Sequence, residues 1–242
     1  MAETGHRSKR TKKNSVDTTI GEITAYYRER APWHDEYMNY DSNAAMEELL
    51  GPIIRTLENY VTGKRVLEIA CGTGNWTQVL SRRAQAVYAT DVNKTVLDIA
   101  RGKDYKNDNV VFEKADAYDL GSIDGTYEAA LAADWWSHMP RSVIPSFLES
   151  LNTRLIPAAP VIIIDMLNRE EFEKIPYRLD DEGNRINRRT LPHGKEFEVI
   201  RNFPDRVELF AALADYATNI KYFLFDNLKR WMVIYRARKR LV

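Results

Sequence analysis

One cysteine, Cys71, occurs in 242 residues, so no internal disulfide can staple this chain. No apolar run reaches the roughly 18 residues that a transmembrane helix needs. The N-terminus is basic, yet it lacks the apolar stretch of about 7 to 15 residues that would make it a signal peptide. Histidine is scarce, with four residues, and no His and Cys grouping has metal-ligand spacing. Asp134 and Asp165 alone are too few acids for a hard-cation site, so no metal is expected. Net charge is lacking too, since 35 basic side chains balance 35 acidic ones. These absences exclude a disulfide scaffold and a membrane span, and they point to a cytoplasmic, single-domain protein with a sizeable core.

The zero charge is a sum of unlike parts. Residues 1–13 carry a formal charge of +4, residues 229–242 carry +6, and the body between them carries −10. A polyanion would meet attraction only at the two ends, so nucleic acid is not the expected partner. The segment 1–16 reads as a disordered basic leader, whose Lys9-Arg10-Thr11-Lys12-Lys13 run also resembles a nuclear address.

From residue 17 the pattern becomes helical, with Ile20, Ile23, Tyr26 and Tyr27 at helical spacing. A second helical stretch holds Met46, Leu50, Ile53, Ile54 and Leu57, and Gly51-Pro52 is expected to bend or divide it. Residues 17–62 are therefore read as a helical N-terminal lid on a domain spanning 17–242. Five short apolar runs follow, at 66–71, 86–90, 110–113, 129–133 and 161–166, separated by helical stretches at 76–83, 94–101 and 143–155. Strands of that kind suit a parallel sheet covered on both faces. Residues 168–203 form an excursion, dense in charge as far as 196 and without periodicity, expected to cap the substrate and to turn at Asp181-Glu182-Gly183. A helix from about 205 to 216 precedes two strands at 220–225 and 231–235. Their link is too short for a crossover, so they must be antiparallel. The expected fold is a doubly wound α/β domain with a seven-stranded, mostly parallel sheet and an antiparallel last strand.

The sequence Val66-Leu67-Glu68-Ile69-Ala70-Cys71-Gly72-Thr73-Gly74-Asn75-Trp76 reads as strand, small-residue turn and helix start. Gly72 and Gly74 admit a ligand close to the backbone, and the helix offers free N–H groups. Asp91, 17 residues after Gly74, ends the next strand, where an acid can accept from ribose hydroxyls. These features permit either a nicotinamide dinucleotide or S-adenosylmethionine. Thr77 stands where the dinucleotide fingerprint wants Gly or Ala. Glu68 opposes a pyrophosphate but suits a cofactor ending in an ammonium group. The closing hairpin also has no place in a dinucleotide-binding sheet.

The motif Glu68-x-Ala70-x-Gly72-x-Gly74, with Asp91 and Asp116-Ala117 in order after it, resembles class I S-adenosylmethionine-dependent methyltransferases of the small-molecule type. The likeness spans about residues 20–240. It implies that Ala70 stands where family members usually carry Gly, that Asp91 takes the ribose, that Val92 and Asn93 border the adenine, and that Asp116 and Ala117 meet its amino edge. Ala133 closes the cofactor site at the end of the fourth strand. Tyr27 and Arg30, in a segment similar to family lids, are expected at the cofactor's carboxylate.

The fourth strand leads into Asp134-Trp135-Trp136-Ser137-His138-Met139-Pro140. His138, with an ordinary pKa of about 6.5, is the candidate general base. Its Ser-His-Met-Pro setting is similar to that of small-molecule O-methyltransferases whose histidine deprotonates a hydroxyl. Trp33, Tyr37, Trp136 and Tyr177 are expected to wall the acceptor, with Trp135 in the core. Arg178, Arg185, Arg188 and Arg189 would suit an anionic acceptor. The expected reaction is methyl transfer to oxygen or nitrogen of a small organic molecule, compatible with a homodimer. An RNA or protein methyltransferase docking through basic termini, and a non-catalytic cofactor-binding subunit, are the alternatives.

Overall fold

The computed structural model describes residues 3–38, 40 and 42–238, and the side chains of 3–15 and 43 lie outside that description. The basic runs at Lys9-Arg10-Thr11-Lys12-Lys13 and Lys239-Arg240 therefore fall outside the described side chains. Helix α1 (Glu3–Arg30) is followed by a single 3-10 turn (Ala31–Trp33), a short α2 (His34–Met38) and a long α3 (Asn43–Val61). The backbone of α1 passes through residue 17 with no break, so the leader expected up to residue 16 has no boundary there. Nor does Pro52 divide α3, which is one helix with the proline inside it. An interior proline costs about 3 kcal/mol. Burial of Met46, Leu50, Ile53, Ile54, Leu57 and Val61 on one face offsets that cost, at roughly 1.5–3 kcal/mol per large side chain.

Strands β1 (Arg65–Ile69), β2 (Ala86–Asp91), β3 (Val110–Lys114), β4 (Ala129–Ala133) and β5 (Pro160–Met166) alternate with helices α4 (Asn75–Ser81), α5 (Lys94–Arg101) and α6 (Ile144–Thr153). After β5 come α7 (Glu170–Glu173), β6 (Tyr177–Leu179), β7 (Arg185–Thr190), β8 (Glu196–Ile200), α8 (Arg206–Leu213), β9 (Ala217–Phe225) and β10 (Arg230–Ala237). The main sheet runs β3-β2-β1-β4-β5-β10-β9. Its first five strands are parallel, and β10 lies antiparallel to both β5 and β9. The seven-stranded sheet with a reversed last strand is thus as the sequence pattern requires.

Both faces of this sheet are buried, which is why its central strands read as continuous apolar runs. Leu67, Ile69, Ala130, Ile163 and Val233 pack under Phe147, Leu151, Leu209 and Leu213 of α6 and α8. Val66, Leu131, Ile162 and Met232 pack under Ile53, Leu57, Leu80 and Leu97 of α3, α4 and α5. Chain order reverses at the neighbouring strands β1 and β4, and a crevice opens beyond their carboxyl ends, where ligands of such sheets bind.

The excursion is more ordered than its charge suggested. It folds into a three-stranded antiparallel sheet β6-β7-β8, turning at Asp181-Glu182-Gly183 as expected and again at residues 191–195. Phe197, Val199 and Leu191 form a small core with Tyr26 of α1. The lid and the cap therefore make one roof over the carboxyl edge of the main sheet. Helix α8 is shorter than the sequence pattern suggested, starting with a capping box between Asp205 and Glu208 and ending at Leu213. Among the described residues no helix is long and apolar enough to cross a membrane.

Candidate active site

Two cavities lie under the roof. The first, about 1240 Å³ counted to its open mouth, runs along the ends of β1, β2 and β4. Glu68, Ala70, Gly72, Asp91, Val92, Asn93, Asp116, Ala117 and Ala133 all line it, as does Tyr27 from the lid. Gly72 has φ +56°, and a Cβ there would meet no protein atom within 4 Å, so its bare face is turned to the cavity. Gly74 is different. With φ +84°, an added Cβ would come within 2.6 Å of the Tyr105 hydroxyl and 3.0 Å of Ala100 Cβ, so this glycine serves the approach of α4 to α5. Ala70 sits at φ +52°, which explains why glycine is the usual occupant of that place.

Among the described residues, Glu68, Asp91 and Asp116 of this cavity have no cationic partner, unlike Asp134 on its shared wall. Glu68 is buried, its Oε2 accepts a 2.7 Å bond from the Thr77 hydroxyl, and burial, with Asp91 nearby, pushes its pKa up to about 8. Thr77, which departs from the dinucleotide fingerprint, is thus the residue that orients this carboxylate. Asp91 accepts the Gly72 N–H at 3.0 Å and the Asn93 N–H at 2.8 Å, one on each oxygen. Burial raises its pKa as well. Each oxygen keeps a lone pair for a further donor. No lysine or arginine lines the cavity, so a cationic ligand end is the missing complement.

The second cavity lies beside the first and shares Tyr27, His34, Asp134 and His138 with it. Its other lining includes Arg30, Tyr37, Asp165, Met166, Arg169, Phe172, Arg189, Arg201 and Arg230. Arg230 is fully buried and pairs with Asp134, whose second oxygen accepts from Trp76 Nε1 at 3.1 Å. Arg230 also donates to the Tyr40 hydroxyl at 2.8 Å. Asp165 accepts the backbone N–H groups of Ser137 at 2.8 Å and Met166 at 2.7 Å, and burial and Asp134 raise its pKa.

His138 stands on the shared wall. Its Nδ1 lies 2.7 Å from the Ile200 carbonyl, which can only accept, so Nδ1 carries the proton. Nε2 then accepts from the Tyr27 hydroxyl at 2.6 Å, with Arg201 Nη1 at 3.3 Å. Complete burial, with the Arg201 charge beside it, drives the His138 pKa well below its ordinary value. Burial pushes Tyr27 up to about 12. As the side chains stand, neither ring nitrogen of His138 is free to take a proton from an acceptor.

Four expectations need correction. Trp136 is buried in the core under the sheet and lines neither cavity, whereas Trp135 lines the first. Trp135, just before the 3-10 turn of residues 136–138, packs on Phe147 of the same core while it borders the cavity, so its expected core position holds in part. Tyr177 is half exposed on the outer edge of the cap, under the Arg185 guanidinium at 4.0 Å from its ring. Trp33 is also on the surface, beside His193. Arg30 belongs to the second cavity and stacks at 4.0 Å over the ring of Tyr37, the one expected acceptor-wall aromatic that does line it. Of the four cap arginines expected at the acceptor, only Arg189 lines either of these cavities, while Arg178 pairs with Glu198 and Arg188 with Glu196.

Sequence reasoning also missed a latch. Asp35 of α2 accepts from Thr73 at 2.5 Å, Asn75 at 2.7 Å and Lys103 at 2.6 Å. Burial opposes ionisation of Asp35, but these bonds outweigh it and hold its pKa below the usual carboxylate value. The lid is thereby fastened to the glycine turn. Only an acid following the lid aromatics hinted at this, and nothing local named its partners.

Residues 66–158 match a family described as a methyltransferase domain. A demethylmenaquinone methyltransferase of Clavibacter sepedonicus is 35% identical over 69 residues, and the match spans 28% of this chain and 28% of that relative. Among solved structures, a DhpI–SAH complex superposes with a TM-score of 0.74 at 25% identity, over 92% of this chain and 98% of that one. A DhpI–SAM–HEP complex gives 0.70 at 27% identity, over 90% and 97%.

Proposed function

This chain belongs to the class I S-adenosylmethionine-dependent methyltransferases, and on that premise we propose that it methylates an oxygen or nitrogen of a small organic acceptor bound in the second cavity. S-adenosylmethionine is the cofactor, and the first cavity has the donors and acceptors it calls for. The observation that carries the reading is the buried Glu68 carboxylate, without a cation, beside the bare face of Gly72. Glu68 is assigned to the cofactor's ammonium, Asp91 to its ribose, and Val92, Asn93, Asp116 and Ala117 to its adenine. When bound, the cofactor supplies a methyl group on a good sulfonium leaving group, so the protein's work is alignment and exclusion of water.

The chain's own residues perform that work from the shared wall. Ile200 fixes the tautomer of His138, His138 fixes the Tyr27 hydroxyl, and Tyr27 stands between the two cavities. The general-base role expected of His138 then has to run through the Tyr27 hydroxyl, which would receive the acceptor's proton as it passes its own to Nε2. Otherwise His138 is a positioning residue. Calorimetric titration with S-adenosylmethionine and with NAD tests the cofactor assignment, and binding of NAD alone would sink it. For His138, replacement by Ala separates the two roles: loss of roughly 100-fold or more in turnover, with an ionisation removed from the pH profile, is expected of a base. Loss of rate with an unchanged profile makes it a positioning residue.

A further inference from the structure

Of the five arginines lining the second cavity, Arg230 alone has a carboxylate partner. Among the described residues no carboxylate lies within ion-pair distance of Arg30, Arg169, Arg189 or Arg201. The two acids of the cavity are already occupied, Asp134 by Arg230 and Trp76, and Asp165 by two backbone N–H groups. Arg30 is 7% exposed and its Nη2 has no acceptor, and the buried Nε atoms of Arg169 and Arg201 also lack one. Leaving buried guanidinium donors empty is unfavourable, and the planar fork of N–H groups matches a carboxylate or a phosphoryl group. Arg169 and Arg201 are further held over the Phe172 ring at 4.7 and 4.9 Å, so their orientation exists before any ligand arrives.

We propose that the acceptor is a compact oxyanion, a carboxylate or a phosphoryl-type group, held by these arginines and methylated on its own charged oxygen. The proposal rests on the methyltransferase reading above. A neutral hydroxyl would have to lose a proton in a cavity where both nitrogens of His138 and the carboxylate oxygens of Asp134 and Asp165 already have partners, and where burial and the Arg30 charge hold the other histidine, His34, down to a pKa of about 4. An oxyanion arrives deprotonated. Its lone pair forms the O–CH3 bond as the sulfonium C–S bond breaks, and the electron pair of that bond stays on sulfur. The products are a methyl ester and a thioether, the two opposite charges cancel, and no proton is released. A group with more than one oxygen can give one to the guanidinium fork and leave another to react.

The test uses the full chain saturated with S-adenosylhomocysteine, which cannot transfer a methyl group. Methylphosphonate, propionate and the uncharged propionamide are titrated separately by ligand-observed NMR. At least one anion is expected to bind about 10-fold or more tightly than the amide, the factor expected of one or two charge-assisted bonds. The arm that binds tells phosphoryl from carboxylate chemistry. In Arg169→Gln/Arg201→Gln that preference should vanish while S-adenosylhomocysteine affinity stays within about 2-fold, which also reports that the variant is folded. Arg169→Lys/Arg201→Lys, which keeps the charge without the fork, should recover only part. Equal binding of anions and amide by the wild-type chain, or an undiminished preference in the Gln variant, would overturn the proposal. Failure to bind S-adenosylhomocysteine would instead strike the methyltransferase reading beneath it.

Discussion

The two cavities share a wall of four side chains and are made of opposite materials. The first is lined by Glu68, Asp91, Asp116 and Asp134 with no lysine or arginine, and it is cut into the carboxyl edge of the parallel strands. The second is lined by five arginines against two acids and is assembled from lid, cap and the strand ends beneath them. A zero formal charge for the chain hides this division. The lesson is that each wall lacks a different charge, a cation in one case and an anion in the other, so that on the reading proposed above a sulfonium and an anionic acceptor would be drawn to neighbouring places without competing.

The contrast is broken most sharply at Glu68. Glu68→Gln should weaken S-adenosylhomocysteine binding about 10- to 100-fold, the worth of a hydrogen bond to a charged group, and leave oxyanion binding in the second cavity unchanged. Calorimetry of both ligands checks it, and equal losses would mean that the cavities are not electrostatically separate. The same residue makes a pH prediction. Its folded pKa, about 8, lies above its ordinary value of 4.5, so the neutral acid is the form the empty fold tolerates. Stability of the ligand-free protein from this group is then fullest below about 4.5 and is lost as pH rises toward 8. An ammonium placed beside it favours the carboxylate, so cofactor binding at pH 7 should expel a proton from Glu68. Titrations in two buffers of different ionisation enthalpy measure that release, and Glu68→Gln should abolish it.

The shared wall comes next. Tyr27→Phe removes the hydroxyl that His138 Nε2 accepts from. Turnover should fall about 10-fold, at least an order of magnitude less than the roughly 100-fold or more that positioned proton-transfer groups usually contribute, while both ligands bind within about 3-fold of wild type. A faster enzyme would show that Tyr27 was withholding His138 from the acceptor. At the latch, Asp35→Asn removes the charge that pairs with Lys103 and leaves an amide oxygen to accept from Thr73 or Asn75. Cofactor dissociation should quicken by several-fold, in line with about 1 kcal/mol for a half-buried pair, and stopped-flow release of S-adenosylhomocysteine reads it. The smallest effect is expected of Ala70→Gly. It relieves a left-handed backbone, so melting temperature should stay level or rise by an amount worth about 1 kcal/mol or less. A clear fall would mean that the methyl group of Ala70 packs on something that matters more than its φ.

The same contrast explains what the sequence could reveal. Glu68, Gly72 and Asp91 fall within 24 consecutive positions of one strand-turn-helix-strand unit, and local geometry brings them together whatever the rest of the chain does. The doubly wound sheet was legible for the same reason, since strands buried on both faces leave nearly uninterrupted apolar runs. Arg30, Arg169, Arg189, Arg201 and Arg230 come from five separate segments; Arg30 and Arg189 are singled out in sequence by their neighbours, but Arg169, Arg201 and Arg230 each look like a solvated charge in their own window. Only tertiary packing turns them inward. The cap was opaque because its strands are half exposed and carry charge at many positions, as Arg185-Ile186-Asn187-Arg188-Arg189-Thr190 does, which masks the two-residue alternation of a sheet. Sequence places Trp136 at the acceptor although it is buried in the core, because the irregular segment after β4 has no strand or α-helix periodicity from which to read which ring borders a cavity.

Helix α1 has one further consequence. Tyr26 is fixed in the small core of the cap, and its neighbour Tyr27 forms part of the boundary between the cavities. A rotation or slide of that helix cannot reshape one chamber and spare the other. A guest in either chamber that shifted this helix would thereby bias the other, and thermodynamic reciprocity would make that bias equal in both directions.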